Sequence, residues 1–434
     1  MVTMNELDRR RFLFSAAVTA PMLGLTGASA AGTERDSERR GEDHPVRTGA
    51  DELAAEGWHR LRGVRVGVIA NPTSVLTRPA AGLPHVVDDM HAAEGVRVVA
   101  VFGPEHGFRG TAQAGGSEGD HTDPRTGIAV YDTYGADVAE LAGMLRQASI
   151  ERLVFDIADV GTRFYTYIWT MYTAMRAAVR AGVPFTVLDR PNPLGGSAAG
   201  PVLDPAFASG VGELPIAQQH GMTVGELARM FDGEFLPDQE GERLPGLDVV
   251  ETSGWSRGHT FDGTGLPWTP PSPNMPTPDT ARVYPGTGMF EGTAFSEGRG
   301  TTRPFEIVGA PGVDWRWAER LNSVGPAGAY FQETYFVPTF SKHRDTTCGG
   351  VRVHRTGTAE FDAISTAVTM LVQAKRLYPD VFGWRPDNWI DKLTGSARLR
   401  EMVDAGADTA EIVGAWAEEL AGFRRRRRPY LLYR

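Results

Sequence analysis

From residue 64 onward, short apolar runs alternate with stretches whose apolar residues recur at helical spacing. Residues 64–70, 96–102, 153–157 and 184–189 are rich in β-branched and aromatic side chains, the pattern of strands buried on both faces of a parallel sheet. Residues 138–148 and 169–181 have the spacing of amphipathic crossover helices. This alternation predicts βαβ units and an α/β fold class, a Rossmann-like, doubly wound, mostly parallel sheet over residues 56–284. Residues 262–304 are dense in Gly, Pro, Thr and Ser without periodicity, which predicts a long functional loop. Beyond it, residues 314–322, 361–377, 397–404 and 408–425 predict helices, the last capped by Asp408, and residues 335–340 and 351–354 predict strands. These make a smaller α+β auxiliary domain over residues 285–434.

With 434 residues, 41% hydrophobic and 23% charged, the chain is long and apolar enough for about two globular domains. A net charge of -10 argues against nucleic acid as a partner. Arg9-Arg10-Arg11 precedes an apolar run over residues 13–25 and the small residues Ala28-Ser29-Ala30. That arrangement predicts a twin-arginine export signal over residues 1–31, removed after about Ala30, leaving no integral membrane segment and a secreted or cell-wall-associated protein. Residues 32–55 are polar and charge-mixed, as in a disordered leader. Cys348 is the only cysteine, so no internal disulfide staples the exported fold. The sequence leaves the oligomeric state open.

Candidate chemistry gathers where strands end. Residues 101–110 close an apolar run with Glu105, His106 and Arg109 among glycines, and in parallel sheets ligands bind beyond such ends. Residues 155–167 form a second strand-to-loop passage bearing Asp156, Asp159, Arg163 and Tyr165. If the two strands are neighbours, these groups converge on one crevice suited to acid/base work on a polar substrate. The proline-stiffened segment 271–277 presents Asn274, and residues 295–306 place Glu297 beside Arg299 and Arg303. An Arg fork fits a ligand carboxylate bidentately. No G-x-G-x-x-G, G-x-x-x-x-G-K-[ST], G-x-S-x-G or H-E-x-x-H occurs, and the ten His lack metal-ligand spacing, so neither a metal nor another cofactor is expected. The arginines at 424–428 read as a solvated helix end.

Taken in order, these strings resemble the DUF1343 family, exo-β-N-acetylmuramidases of the NamZ type. The resemblance rests on Asn71-Pro72-Thr73, residues 102–107, 156–167, 188–193 and 220–223, Gly265-Leu266-Pro267-Trp268, and residues 271–277, 296–302 and 430–433. It covers the chain from about Gly63 onward. Two positions depart from the family pattern: Ala158 stands in place of Gln, and Ala294 in place of Asn.

The resemblance implies a secreted, metal-free glycoside hydrolase that releases terminal non-reducing N-acetylmuramic acid from peptidoglycan fragments. Glu105 would then be the general acid, with Glu297 or an Asp of residues 156–163, Asp156 first, as second carboxyl group. Arg163, Arg299 or Arg109 would meet the lactyl carboxylate, and Asn71, His106, Asp159, Tyr165 and Asn274 would contact the sugar. Retaining, inverting and acetamido-assisted mechanisms all remain open. A noncatalytic muropeptide-binding protein is the alternative.

Overall fold

A computed structural model describes residues 45–77, 82–356 and 361–434. The export signal read over residues 1–31, and the leader as far as residue 44, lie outside the described residues.

Among the described residues, nine strands belong to the first half: β1 (Arg65–Ala70), β2 (Arg97–Gly103), β3 (His121–Thr122), β4 (Ala129–Asp132), β5 (Arg152–Asp156), β6 (Phe185–Leu188), β7 (Ala199–Val202), β8 (Ala217–Gln219) and β9 (Leu247–Val250). Seven of them form one sheet in the order β3-β4-β2-β1-β5-β6-β9, parallel except for the β3/β4 pair. Counted along the chain, the parallel strands lie in the spatial order third, second, first, fourth, fifth, sixth, which is the doubly wound arrangement.

The apolar runs are nearly continuous because both sheet faces are covered. Val68 pairs with Val101 and Val154 on one face, and Ile69 with Phe102 and Phe155 on the other. The first face packs on α1 (Gly49–Ala55) and α2 (Val86–Ala92) through Leu53, Val87 and Met90. The second packs on α3 (Val138–Gln147), α4 (Tyr167–Ala181) and α5 (Val224–Met230) through Leu145, Ile168, Met171, Met175 and Leu227.

The second half holds a three-stranded antiparallel sheet in the order β10-β12-β11, made of β10 (Ile307–Ala310), β11 (Ala329–Phe336) and β12 (Cys348–Arg355). Val308, Phe331 and Val351 pack there against Trp317 of helix Arg316–Val324 and Leu371 of helix Ala363–Leu377. Among the described residues no helix is long and apolar enough to cross a membrane.

Four expectations are corrected. Residues 49–55, assigned to a disordered leader, form α1: Thr48 and Asp51 make a reciprocal capping box, and Ala50 and Leu53 are fully buried. Gly49 donates to the Asp189 carbonyl at 2.8 Å, and a Cβ on it would stand 2.1 Å from the Val250 carbonyl oxygen. Residues 262–304 are not loop throughout, because Thr277 caps helix Pro278–Thr287 with Pro278 in its first turn. The strand expected at 335–340 ends at Phe336, where Pro338 can no longer donate to a ladder. The arginines at 424–428 are not simply solvated: Arg424 donates to the Ala198 carbonyl (2.6 Å), and Arg427 to those of His220 (2.7 Å) and Gly196 (2.8 Å). They dock the C-terminal helix on the first half, and the Tyr433 hydroxyl completes that docking at Asp189 (2.6 Å).

A chain beginning at Glu56 should melt several degrees below one beginning at Pro45. Losing the burial of Leu53 and Ala50 together with the Asp51 hydrogen bonds costs at least about 3 kcal/mol. Equal melting temperatures by calorimetry would show that α1 is dispensable.

Candidate active site

Strand order reverses between β1 and β5, so the loops leaving their carboxyl ends diverge and open a crevice. Asn71 follows β1, Glu105 follows β2 and Asp159 follows β5. Asn71 Oδ1 accepts from the Thr73 N–H (2.8 Å) and hydroxyl (2.6 Å), which holds the Asn71 side chain fixed at the end of its strand. Asp159 Oδ2 accepts from the Gly161 N–H (2.7 Å) and from His220 Nε2 (3.0 Å). Met222 N–H donates to His220 Nδ1 at 3.2 Å, which fixes the His220 tautomer and makes that ring a brace for Asp159. Asp159 Oδ1 is buried and has no partner among the described residues. Gly161 has φ 81°, and a Cβ there would lie 2.5 Å from Asn192 Oδ1, so this bend requires glycine.

Beyond β2 the chain bends at His106, whose φ is 71°. The His106 ring bonds to the Ala112 carbonyl at 3.0 Å, and the His106 backbone N–H donates to Gly116 O at 3.0 Å, closing the loop on itself. That closure brings the Gly115 N–H to Glu105 Oε1 (2.8 Å), while the Thr166 hydroxyl approaches Oε2 at 3.4 Å. Glu105 lines a cleft of about 450 Å³, within the usual range for a ligand site. A second crevice, bordered by Asp159, Arg190 and Trp268, has about 50 Å³, room for a group of a few heavy atoms and not for a whole pyranose ring.

Three buried phenols pack together beside Glu105, the Tyr167 hydroxyl lying 3.4 Å from the Glu105 carbonyl oxygen. Tyr165 packs edge-on to Tyr167 and Tyr284, with ring centroids 5.5 and 5.8 Å apart. Burial raises all three phenol pKa values. The charges of Glu291, Arg299, Glu105 and Asp159 all act on Tyr284, so this ring sits among them. The Tyr167 hydroxyl donates to the Pro271 carbonyl (2.8 Å) and anchors the segment bearing Asn274, which is 5% exposed.

The structure therefore gathers Glu105, Asp159 and Arg299 about Tyr284, with Tyr165 packed on that ring, Asn71 beside Tyr167 and Asn274 buried in the segment Tyr167 anchors, and it reassigns the remaining candidates. Asp156 is fully buried and bidentate with Arg190 (2.6 and 2.9 Å), out of reach of any substrate. Glu297 is 2% exposed, held by Lys342 (2.9 Å) and Arg299 (3.3 Å), and does not line the Glu105 cleft. Arg109 is committed to Asp88 (2.8 Å) and Asp123 (2.9 Å). Arg163 is wholly buried and, among the described residues, donates only to the carbonyls of Pro201 (3.0 Å), Ile216 (2.8 Å) and Leu393 (2.8 Å), so it reads no ligand. His106 braces its own loop. Arg299 remains 22% exposed while paired with Glu291 at 2.6 Å, and burial holds the Glu291 carboxyl above its usual range against the pull of Arg299. Ala158, one departure from the family pattern, lines the smaller crevice, and Ala294 O bonds to the His343 ring (2.7 Å).

Sequence reasoning missed His220, Tyr284, Glu291, Lys342 and Glu213. Glu213 lines the Glu105 cleft, and burial lifts its carboxyl to about 7 against the pull of Arg176. Its signal was present: it follows Gly210-Val211-Gly212 as Glu105 stands among the glycines of its own loop. Among the described residues no group of three His, Cys, Asp or Glu is arranged to hold a metal ion.

Two family models match the chain. Residues 66–279 match the one described as exo-beta-N-acetylmuramidase NamZ, N-terminal, and residues 282–433 its C-terminal counterpart. The peptidoglycan beta-N-acetylmuramidase NamZ of Bacillus subtilis (strain 168) is 42% identical over 428 residues, covering 98% of this chain and 100% of the relative. Two solved DUF1343 family proteins from Bacteroides fragilis superpose with TM-scores of 0.79 and 0.71, at 33% and 30% identity; each comparison covers 90% of this chain and 99% of the other.

Arg163→Met should damage folding and not ligand selectivity. Three hydrogen bonds to buried carbonyls are lost, although the Ile216 carbonyl keeps another donor in the Leu203 N–H, which costs more than about 3 kcal/mol in thermal or denaturant unfolding. A variant of parental stability with altered substrate preference would return Arg163 to the ligand.

Proposed function

Since the chain belongs to the exo-beta-N-acetylmuramidase NamZ family, we propose that it hydrolyses the β-glycosidic bond of a terminal non-reducing N-acetylmuramic acid on peptidoglycan fragments. The observation that carries this is the pairing of two differently held carboxyl groups beyond the sheet. Glu105 borders the large cleft with one oxygen anchored by Gly115. Asp159 is braced by His220 and Gly161 and keeps Oδ1 free in a buried position.

These roles are complementary. Glu105 protonates the leaving oxygen. Asp159 Oδ1 accepts the N–H of the substrate's 2-acetamido group and aims that group's carbonyl oxygen at the anomeric carbon, so no second protein nucleophile is required. The removal of Asp156 by Arg190, and of Glu297 by Lys342 and Arg299, supports this acetamido-assisted route over a two-carboxylate one. Arg299, next to Tyr284 and partly exposed, is the candidate for the lactyl carboxylate. The twin-arginine pattern at residues 9–13 supports export to the cell wall, where such fragments arise.

Glu105→Gln should lower kcat/KM on a muramyl-glucosamine disaccharide by about 10² to 10⁴, and less on a nitrophenyl muramide, whose leaving group needs little proton help. Asp159→Asn should slow both substrates alike. Activity of Glu105→Gln within tenfold of the parent on the disaccharide would remove Glu105 from the acid role.

Arg299→Met should erode discrimination between matched muramide and glucosaminide substrates. A site that bonds a specific polar group rejects an analogue lacking it by about 10⁴, and removing the fork should reduce that ratio at least tenfold. An unchanged kcat/KM ratio would place the carboxylate contact elsewhere.

A further inference from the structure

The 450 Å³ cleft extends beyond Glu105 to residues the acid role does not use. It starts at Glu105 and follows one face of α4, where Thr166, Thr170 and Thr173 recur at helical spacing, over about 10 Å of helix. At its far end stands Glu213, mostly withdrawn from water, with no hydrogen bond or ion pair among the described residues. Tyr134, 44% exposed, lines the cleft near Glu105, and partial burial together with that carboxylate's charge raises its phenol. The described lining contains no Lys, Arg or His.

An anionic muramyl residue would meet two carboxyl groups here and no cation, so this is the wrong place for a lactyl carboxylate. Arg299 is absent from this lining and acts instead on Tyr284, which Glu105 also reaches. A neutral pyranose suits the cleft: threonine hydroxyls and a carboxyl group bond its hydroxyls, and an aromatic ring covers its apolar C–H face. We infer that this cleft is the subsite for the uncharged sugar on the leaving side of the bond, and that Glu213 and Tyr134 hold that sugar. The assignment rests on reading Glu105 as the acid at the scissile oxygen, because it places one sugar on each side of that residue. With a carboxyl lifted to about 7, Glu213 both donates and accepts hydrogen bonds near neutrality, as recognition of sugar hydroxyls requires.

Product inhibition separates this subsite from the chemistry. For the parent, Glu213→Ala and Tyr134→Ala, inhibition constants for free N-acetylglucosamine and free N-acetylmuramic acid are measured against release of nitrophenol from the aryl muramide. The expected result is a 10- to 100-fold weaker inhibition by N-acetylglucosamine in Glu213→Ala, about the worth of a hydrogen bond to an ionisable group, with N-acetylmuramic acid inhibition unchanged. Tyr134→Ala should weaken the same constant by at least threefold. Unchanged N-acetylglucosamine inhibition in both variants, or an equal loss for both sugars, overturns the assignment. A fall in kcat of Glu213→Ala at constant inhibition overturns it too, moving Glu213 into the reaction. A parent that releases no nitrophenol would instead overturn the muramidase reading on which the assignment rests.

Discussion

The full burial of Arg163 without a carboxylate partner is the constraint around which the site is built. A guanidinium shut away from water is tolerated only where enough acceptors converge on it, and here they are backbone carbonyls of β7, of the residue entering β8 and of helix Trp389–Thr394 in the second half. Burial lowers its pKa to about 9, a measure of how fully that charge has left solvent. The loop bearing Asp159 thereby takes its position from three distant segments at once. Arg163 also shapes the start of α4, since its carbonyl accepts the Trp169 indole N–H at 2.8 Å and so helps set the first turn of that helix, whose face walls the large cleft.

Around that clamp the charges divide into two kinds. Asp156 with Arg190 and Arg109 with Asp88 and Asp123 are mutually satisfied, and the Glu297 carboxylate is held by Lys342 and Arg299, so these carboxylates and Arg109 spend their electrostatics on their partners and offer a ligand little. Among the described residues, Asp159 Oδ1 and Glu213 lack partners, and Glu105 keeps only a long contact on Oε2. A carboxyl group held away from water without a partner is costly for the fold, and such groups concentrate where a substrate supplies the missing contact. Every one of these less satisfied groups lies beyond the carboxyl ends of the central strands or along α4.

The doubly wound sheet was legible because its signal is local. A strand covered on both faces must be apolar along its whole length, and residues 64–70, 96–102, 153–157 and 184–189 are. The carboxylate-bearing loops were legible too, because glycines cluster where the chain leaves a strand and bends sharply. Helix Pro278–Thr287 was hidden by its composition: Pro278, Pro285 and Gly286 read as loop residues, although Thr277 and Pro278 together are a helix-start signal. α1 was hidden because seven residues with few large apolar side chains look like a leader until Gly49 and Leu53 meet the sheet.

By itself the sequence determined the α/β architecture, the loops that carry carboxylates and, through motif resemblance, the reaction class. Only the tertiary structure decided which carboxylates are available to a substrate. Asp156 ends β5 and Asp159 stands three residues on in the loop that leaves it, yet one is consumed by Arg190, 34 residues away, and the other is braced by His220, 61 residues away, with an oxygen to spare. Secondary structure follows from patterns spanning a few residues, whereas the state of a buried charge follows from its partners, and those are delivered by segments whose meeting no local pattern records.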